Sequence, residues 1–335
     1  MHFPPACVAF AGMVVYTVCN TEGGLPVSTF SVTLENVILT LLYLSAGFLL
    51  SKAKLVKADH VSSISATLLY FCGPCMFIGA LTDLDPSAEL NRNMFLFLVI
   101  TFAVQILFML AVYLFLGSRR KTFTGRMTAL ASVMGNAGFF GLPIVKALFP
   151  QAPEAAAYSC IYCVSMNVLA WTAGVFVLTN DRKYISLKAA LLNPTVVSVA
   201  GAIVLYLLKS KEWMPSLLTK GIHTIGGIST PLCMLVLGIR LSTMKLKPLF
   251  THASPWFTSL GKLVLFPLFS YVLVLFLPLP SVFKASILIL SATPCASVIL
   301  NLSEIHHSGQ ELAANCTLLS TLVSVVTIPL LSLLI

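Results

Sequence analysis

The chain has 335 residues, of which 58% are hydrophobic and 9% are charged, and its mean hydropathy is +0.97. Soluble domains carry about 25% charged residues, so this composition excludes a soluble globular protein and predicts an all-α membrane protein. The net charge of +9 does not predict nucleic-acid binding, because the basic residues are dispersed along the chain and form no basic cluster.

The first 32 residues (1–32) are an N-terminal extension that we leave unassigned. Its apolar run from Ala6 to Cys19 is shorter than the roughly 20 residues that a helix needs to cross a bilayer, and it lacks the positive flank of a signal peptide. Ten apolar runs follow, each predicted to be a membrane helix. They span residues 33–51, 61–82, 94–117, 127–149, 155–179, 189–208, 221–239, 253–279, 285–303 and 312–334.

The loops between these helices carry nearly all the charge. Loops that follow odd-numbered helices hold thirteen Lys and Arg residues, and loops that follow even-numbered helices hold six. Since cytoplasmic loops are enriched in Lys and Arg, we expect the odd loops inside and both ends of the ten-helix core outside, in the cell membrane. The loops are short and the chain has no GxxxxGK[ST] motif, which argues against an ATP-driven pump.

The two halves of the chain, residues 33–188 and 189–335, resemble each other. Pro74 and Pro231 stand 157 residues apart, each before an apolar run that contains methionine, and Asn136 and Pro294 stand 158 residues apart. Each half supplies five helices, an odd number, so the second copy must enter the membrane in the opposite orientation. The sequence therefore predicts two inverted five-helix repeats, the arrangement of many secondary transporters.

Helix breakers fall in the middle of the fourth and ninth predicted helices. The segment GNAGFFGLP contains Gly135, Asn136, Gly138 and Pro143, and the segment SATPCAS contains Pro294. A glycine costs about 1 kcal/mol and a proline about 3 kcal/mol inside a helix, so both helices are expected to be interrupted. The free N–H groups of two half-helices that cross in mid-membrane would favour an anion, and we predict that these five residues form a substrate site. The alternative is that the glycines serve close helix packing and the prolines only kink the helices.

Three further polar residues lie within predicted helices. Lys262 is about ten residues into the eighth helix, where it could attract an anion or neutralise the carbonyl ends of the broken helices; alternatively it reaches the membrane surface. Asn167 and Asn315 could donate hydrogen bonds to a carboxylate or join helices to each other. Apart from Glu35 at the edge of the first helix, no Asp or Glu lies deep in a predicted helix, which favours an anion carrier over a cation exchanger.

Two motifs offer other chemistry. The Cys72-Gly-Pro-Cys75 segment has the spacing of a thiol-exchange enzyme, but that motif acts at the exposed start of a helix, whereas here an apolar run precedes it. Metal-capable side chains near the ninth loop are interpreted as part of a solvated loop. They are Glu304, His306, His307 and Glu311.

Several segments resemble the auxin efflux carrier family, in particular its microbial, malate-permease-like branch. They are GNAGFFGLPIV in the fourth helix, TPLCMLVLGIRLS in the seventh, GKLVLFP in the eighth and LLSTLVSVVTIPLL in the tenth. The resemblance covers residues 33–335. It implies ten helices in two inverted repeats, with crossed broken helices four and nine, scaffold helices at 33–82 and 189–241, and transport-domain helices at 94–179 and 253–334.

The same resemblance implies an elevator-type movement of the substrate. Plant auxin exporters have Asn-Pro-Asn at the first crossing, whereas this chain has Gly135-Asn136-Ala137. This difference weakens the expectation that auxin is carried. The resemblance to the malate-permease-like branch implies a malate-like dicarboxylate or another weak carboxylic acid as the substrate.

The sequence thus predicts a secondary transporter of a small organic anion, not an enzyme, that needs no cofactor or metal. The alternative is a membrane sensor or receptor that keeps the transporter fold and binds a carboxylate without moving it. The sequence leaves the oligomeric state open, a homodimer included.

Overall fold

The computed structural model describes residues 28–244 and 246–335, and within these ranges the regular elements are helices together with one isolated antiparallel bridge. Eight helical segments of the described chain are long and apolar enough to cross a membrane, which confirms an all-α membrane protein. Residues 1–27 of the predicted N-terminal extension lie outside the described residues.

We number the helices in chain order and give two labels to each of two interrupted ones. Their bounds are α1 Thr29–Lys52, α2 Val61–Thr82, α3 Ala88–Phe115, α4a Phe123–Ala131, α4b Ala137–Leu148, α5 Glu154–Thr179, α6 Pro194–Leu207, α7 Ser216–Thr243, α8 Ala253–Leu275, α9a Ser281–Ser291, α9b Val298–Ile305 and α10 Gln310–Leu331. The halves of α4 and α9 are each too short to cross a bilayer alone.

Side-chain caps set several helix starts. Helix α1 begins at Thr29, and not at the predicted residue 33, because the Ser28 hydroxyl accepts a hydrogen bond from the Ser31 N–H. Helix α6 begins at Pro194, later than predicted, because the Asn193 side chain accepts the Thr195 N–H at 3.0 Å and proline suits the first helical position. Polar caps thus shift helix boundaries that hydropathy alone cannot fix.

Helices α1, α2, α6 and α7 pack closely on one another. Helix α1 runs along α7, and α2 contacts both α6 and α7. Glycines permit this approach: a Cβ atom at Gly47 would collide with the Leu235 backbone, and one at Gly226 would lie 2.8 Å from the Met76 Cα. Small residues at helix interfaces let backbones approach, so these glycines bring α1 and α2 close to α7.

The remaining helices form a second set of contacts around a buried aromatic cluster. Helix α3 packs on α5, and α8 packs on α9a and α10. The Phe97 ring stacks on Tyr158 at 4.7 Å and meets the edge of Phe283 at 4.8 Å, which joins α3, α5 and α9a. Large apolar side chains such as Phe115 and Phe276 are exposed on the outside, as lipid-facing residues should be.

Candidate functional site at two interrupted helices

Helix α4 is interrupted at the glycine-rich segment. The helix ends at Ala131 and resumes at Ala137, and the first turn of α4b, Ala137–Gly141, is π-helical. Asn136 has φ −78° and ψ 59°, which is not helical. The break falls where the sequence places Gly135 next to Asn136, as expected from the low helix propensity of glycine.

Helix α9 is interrupted in the same way around Pro294. Helix α9a ends at Ser291, and α9b begins at Val298 after Ser297. Proline lacks an N–H group and clashes with the preceding turn, so the helix cannot continue through it without distortion. Each interrupted helix therefore leaves backbone groups without intrahelical partners in an apolar region.

The two interrupted segments pair with each other. Gly135 and Cys295 form an antiparallel bridge. The Asn136 N–H donates to the Pro294 carbonyl at 2.8 Å, and the Ala296 N–H donates to the Met134 carbonyl at 3.0 Å. Irregular backbone is tolerated at membrane depth only where protein satisfies its hydrogen bonds, and here each segment satisfies the other.

Neighbouring helices support this pairing. The Ser159 hydroxyl on α5 donates to the Ala137 carbonyl at 2.7 Å, and the Ser320 hydroxyl on α10 accepts the Cys295 N–H at 3.0 Å. Each serine thus forms a hydrogen bond with the backbone of one residue, Ser159 with Ala137 and Ser320 with Cys295. Helices α5 and α10 thus hold the paired segments in place.

Lys262 lies behind the paired segments and is fully buried. Its ammonium group donates to the carbonyl of Ser291, the last residue of α9a, and lies 5.2 Å from the centre of the Phe266 ring. A helix C-terminus carries partial negative charge, which an ammonium group stabilises. Lys262 therefore contacts the carbonyl end of a half-helix and does not line the asparagine cavity described below.

A cavity of about 90 Å³ lies beside the paired segments. We call it the asparagine cavity, because four of its lining residues are Asn136, Asn167, Asn193 and Asn301. Its other lining residues are Leu69, Phe77, Gly135, Ala137, Gly138, Phe139, Cys163, Met166, Trp171, Pro194, Thr195, Ala296, Ser297 and Val298. The lining combines neutral polar groups with apolar ones and includes no Asp, Glu, Lys or Arg.

The first residues of both second half-helices line this cavity. Gly138 and Phe139 lie at the start of α4b, and Ser297 and Val298 lie at the start of α9b. Within the described chain, the backbone N–H groups of these four residues donate no hydrogen bond. Free N–H groups at a helix N-terminus carry partial positive charge, so two helix ends favour an anion in one cavity.

Six of the eight predicted site residues lie at the paired segments or beside them. Gly135, Asn136, Gly138 and Asn167 line the asparagine cavity. Pro294 takes part in the backbone pairing, and Lys262 lies behind it.

Two predicted residues lie elsewhere. Pro143 lines a different cavity, between α1, α2, α4b and α7. Asn315 is buried in α10 outside both cavities, and in the described residues its Oδ1 atom has no hydrogen-bond partner.

Sequence reasoning missed several lining residues, among them Asn193, Trp171 and Asn301. Asn193 precedes a proline and is typical of a helix cap, and Asn301 stands in an apolar run without a motif. Asn301 follows Pro294 by two helical turns, and a search for polar residues near both breakers would have found it.

The cysteine motif lies within a helix, whereas the second motif spans the turn between α9b and α10, with Glu304 and Glu311 in these helices and His306 and His307 in the turn. Cys72 and Cys75 lie inside α2, and both are free thiols. Glu304 forms an ion pair with Arg240 at 3.1 Å. In residues 28–244 and 246–335, no group of three or more His, Cys, Asp or Glu side chains is arranged to hold a metal ion.

Comparison with known proteins identifies the family of this chain. The family model of membrane transport proteins matches residues 32–332. An uncharacterised transporter of Methanocaldococcus jannaschii is 22% identical over 305 residues, which cover 89% of this chain and 97% of that protein. The family is one of membrane transporters rather than enzymes. From its match over nearly the whole chain, the protein belongs to the auxin efflux carrier-like membrane transport family.

Proposed function

We propose that this protein is a secondary transporter of a small organic anion, such as a malate-like dicarboxylate or another weak carboxylic acid, in the cell membrane. The observation that carries the proposal is the asparagine cavity, where the free N–H groups of two half-helices meet in a lining without charged side chains. A carboxylate would accept hydrogen bonds from these N–H groups, and Asn136 and Asn167 could donate further ones.

The proposed architecture has ten membrane crossings in two inverted five-helix repeats. Counting α4a with α4b and α9a with α9b as one crossing each gives ten. The first half-helices end at Ala131 and Ser291, which are 160 residues apart, so the two interruptions fall at similar places in the two halves of the chain. Interrupted helices at corresponding positions of two repeats are typical of transporter binding sites.

The proposed mechanism is an elevator-type alternating access. Helices α1, α2, α6 and α7 would form the scaffold, and the remaining helices would form the transport domain that carries the paired segments. The close glycine contacts within the first group support a rigid scaffold. Asn193 on the scaffold side and Asn301 on the transport side both line the asparagine cavity, as expected for a site at the boundary between the two domains.

Transport measurements in proteoliposomes test this function. Radiolabelled malate, succinate and monocarboxylates are offered with and without imposed proton and sodium gradients, and protein-free vesicles give the background. We expect uptake of at least one of these acids, and we expect Asn136→Ala to weaken apparent affinity by about tenfold, the usual cost of losing a hydrogen bond to a charged group.

Asn315→Ala is the matched control, since Asn315 is a buried asparagine outside the cavity. Equal loss in both variants would contradict the proposed site. Binding of an acid without flux under any gradient would instead indicate a sensor that keeps the transporter fold.

A further inference from the structure

A second cavity, of about 290 Å³, lies between α1, α2, α4b and α7. We call it the lysine cavity, because Lys146 is the one Lys or Arg residue in its lining. The lining residues are Asn36, Leu39, Thr40, Tyr43, Cys75, Met76, Gly79, Leu142, Pro143, Lys146, His223, Gly226, Gly227, Thr230 and Pro231. None of them lines the asparagine cavity.

Two pairs of lining residues in the two cavities are related by the shift of the sequence repeat. Asn36 in the lysine cavity and Asn193 in the asparagine cavity stand 157 residues apart, the same shift that separates Pro74 from Pro231. Leu69 and Gly226 are also 157 residues apart.

The interrupted helices contribute one further pair of lining residues, at a shift of 158 residues. Pro143 in the lysine cavity and Asn301 in the asparagine cavity are 158 residues apart, the shift that separates Asn136 from Pro294. Helix α4b contributes Leu142, Pro143 and Lys146 to the lysine cavity, and α9b contributes Val298 and Asn301 to the asparagine cavity. By the predicted topology, the ends of α1, α2, α4b and α7 that form it lie outside, whereas the asparagine cavity lies toward the inside.

The electrostatics of the lysine cavity favour an anion. Lys146 is exposed, and no carboxylate of the described residues pairs with it. The lining includes no Asp or Glu. His223 faces Asp83, whose Oδ1 atom lies 3.1 Å from the His223 Nε2 atom. The ammonium group of Lys146 is thus the uncompensated charge in this lining.

Neutral hydrogen-bonding groups complete the lining. Tyr43 on α1 and Thr230 on α7 are half-buried and bring hydroxyl groups into it. One ammonium group with several hydroxyl donors is a set that binds a carboxylate.

We propose that the lysine cavity is a second binding site for the transported carboxylate, on the opposite side of the paired segments, with Lys146 as its cationic contact. The inference rests on the proposed function, which supplies the class of ligand. The two sites differ in one respect: the asparagine cavity holds the anion by helix ends and neutral side chains, whereas the lysine cavity adds a full positive charge.

A natural cysteine makes the site testable in the full chain. Cys75 lines the lysine cavity and is half-buried, so a membrane-impermeant methanethiosulfonate reagent can report on its occupancy. The probe is succinate, and the neutral comparison is succinamide. Cys75→Ala gives the background from other cysteines. At a succinate concentration ten times its Kd, labelling of Cys75 should slow about tenfold, because only the free cavity reacts.

Variants at Lys146 separate charge from shape. Lys146→Gln should weaken protection by about tenfold through the loss of a charge-assisted hydrogen bond, whereas Lys146→Arg should keep most of it. Asn136→Ala serves as the control for the other cavity and should leave protection unchanged. The proposal is overturned if succinamide protects as well as succinate, if Lys146→Gln protects normally, or if Cys75 does not react at saturating reagent.

Protection that is lost in Asn136→Ala but kept in Lys146→Gln would also overturn it, since the effect would then come from binding at the asparagine cavity. Flux measured in the same preparation distinguishes the two proposals. Protection without flux would keep the lysine cavity as an anion site and contradict transport, and flux without protection would do the reverse.

Discussion

Lys262 illustrates how one buried charge can stabilise an interrupted helix. The ammonium group donates to the Ser291 carbonyl at the end of α9a, and it does not line the asparagine cavity. Burying a charge in the membrane is costly unless it is paired, so the carbonyl groups at the helix end are its compensation. Lys262 is therefore expected to hold the site in shape rather than to contact the anion.

Replacing Lys262 tests this role. Lys262→Met keeps the length of the side chain but removes the donor, and a buried carbonyl without a partner costs about 1–3 kcal/mol. We expect a lower melting temperature in detergent and slower transport, with an unchanged Kd for the substrate. Lys262→Arg is the control that keeps the charge. A rise in Kd as large as that of Asn136→Ala would show that the ammonium group binds the anion directly.

Gly135 has no room for a side chain at the paired segments. A Cβ atom there would lie 2.5 Å from Thr293 Oγ1 and 2.9 Å from Lys262 Nζ. We expect Gly135→Ala to destabilise the fold by about 1–3 kcal/mol, as overpacking does elsewhere, and to lower transport per folded molecule.

Gly201→Ala in α6 is the matched control, because a Cβ atom at Gly201 meets nothing within 4 Å. Thermal unfolding and flux of the two purified variants give the comparison. If both alanines behave like the unmodified chain, the paired segments are looser than this packing implies.

At the scale of helices, sequence reasoning could locate the interruptions but not their pairing. The breakers at Gly135 and Pro294 weaken their own helices, which is a local property. The hydrogen bond from Asn136 to the carbonyl of Pro294 joins residues in opposite halves of the chain, and no local pattern encodes it. Asn193 was missed for the same reason, since its position beside Asn136 follows from packing.

Helices α7 and α9b are joined by the ion pair of Arg240 and Glu304, whose Nη1 and Oε1 atoms are 3.1 Å apart. In the proposed mechanism α7 belongs to the scaffold and α9b moves, so the pair must break during transport. Arg240→Gln is expected to change the transport rate by up to about fivefold, since a partly exposed pair contributes about 1 kcal/mol or less.

Charge exchange is the check on this pair. The double variant with Arg240→Glu and Glu304→Arg should recover the original rate. Lys211→Gln removes the pair with Asp85, which does not join α7 to α9b, and should leave the rate unchanged. A double variant as impaired as the singles would exclude the ion pair as the cause.

At the scale of the molecule, the distribution of Lys and Arg predicts which loops face the cytoplasm. Lys183 lies in an odd loop and Lys211 in an even loop, and both side chains are exposed. In intact cells, a cysteine at position 211 should react with an impermeant thiol reagent, and one at position 183 should react only after permeabilisation. The unmodified chain gives the background, and the opposite result would invert the topology.

Hydropathy was sufficient to predict the membrane class, because a bilayer demands long apolar helices. Eight such helices are present among the described residues. The family resemblance covered nearly the whole chain. Two predicted spans, 127–149 and 285–303, are each built from two shorter helices, which average hydropathy cannot distinguish from a continuous one. The division into scaffold and transport domains stays a prediction.

The contact between α1 and α7 restricts how this chain can diverge. At Gly47 and Gly238 the backbones of α1 and α7 are in contact, so a side chain at either position would collide with main-chain atoms. A second substitution cannot relieve this collision, because every residue has the same main-chain atoms. Both positions should therefore remain glycine in homologues, while lipid-facing positions such as Leu42 should vary among apolar residues. Among homologues, this glycine pair should persist even where the residues around the asparagine cavity have changed with the cargo.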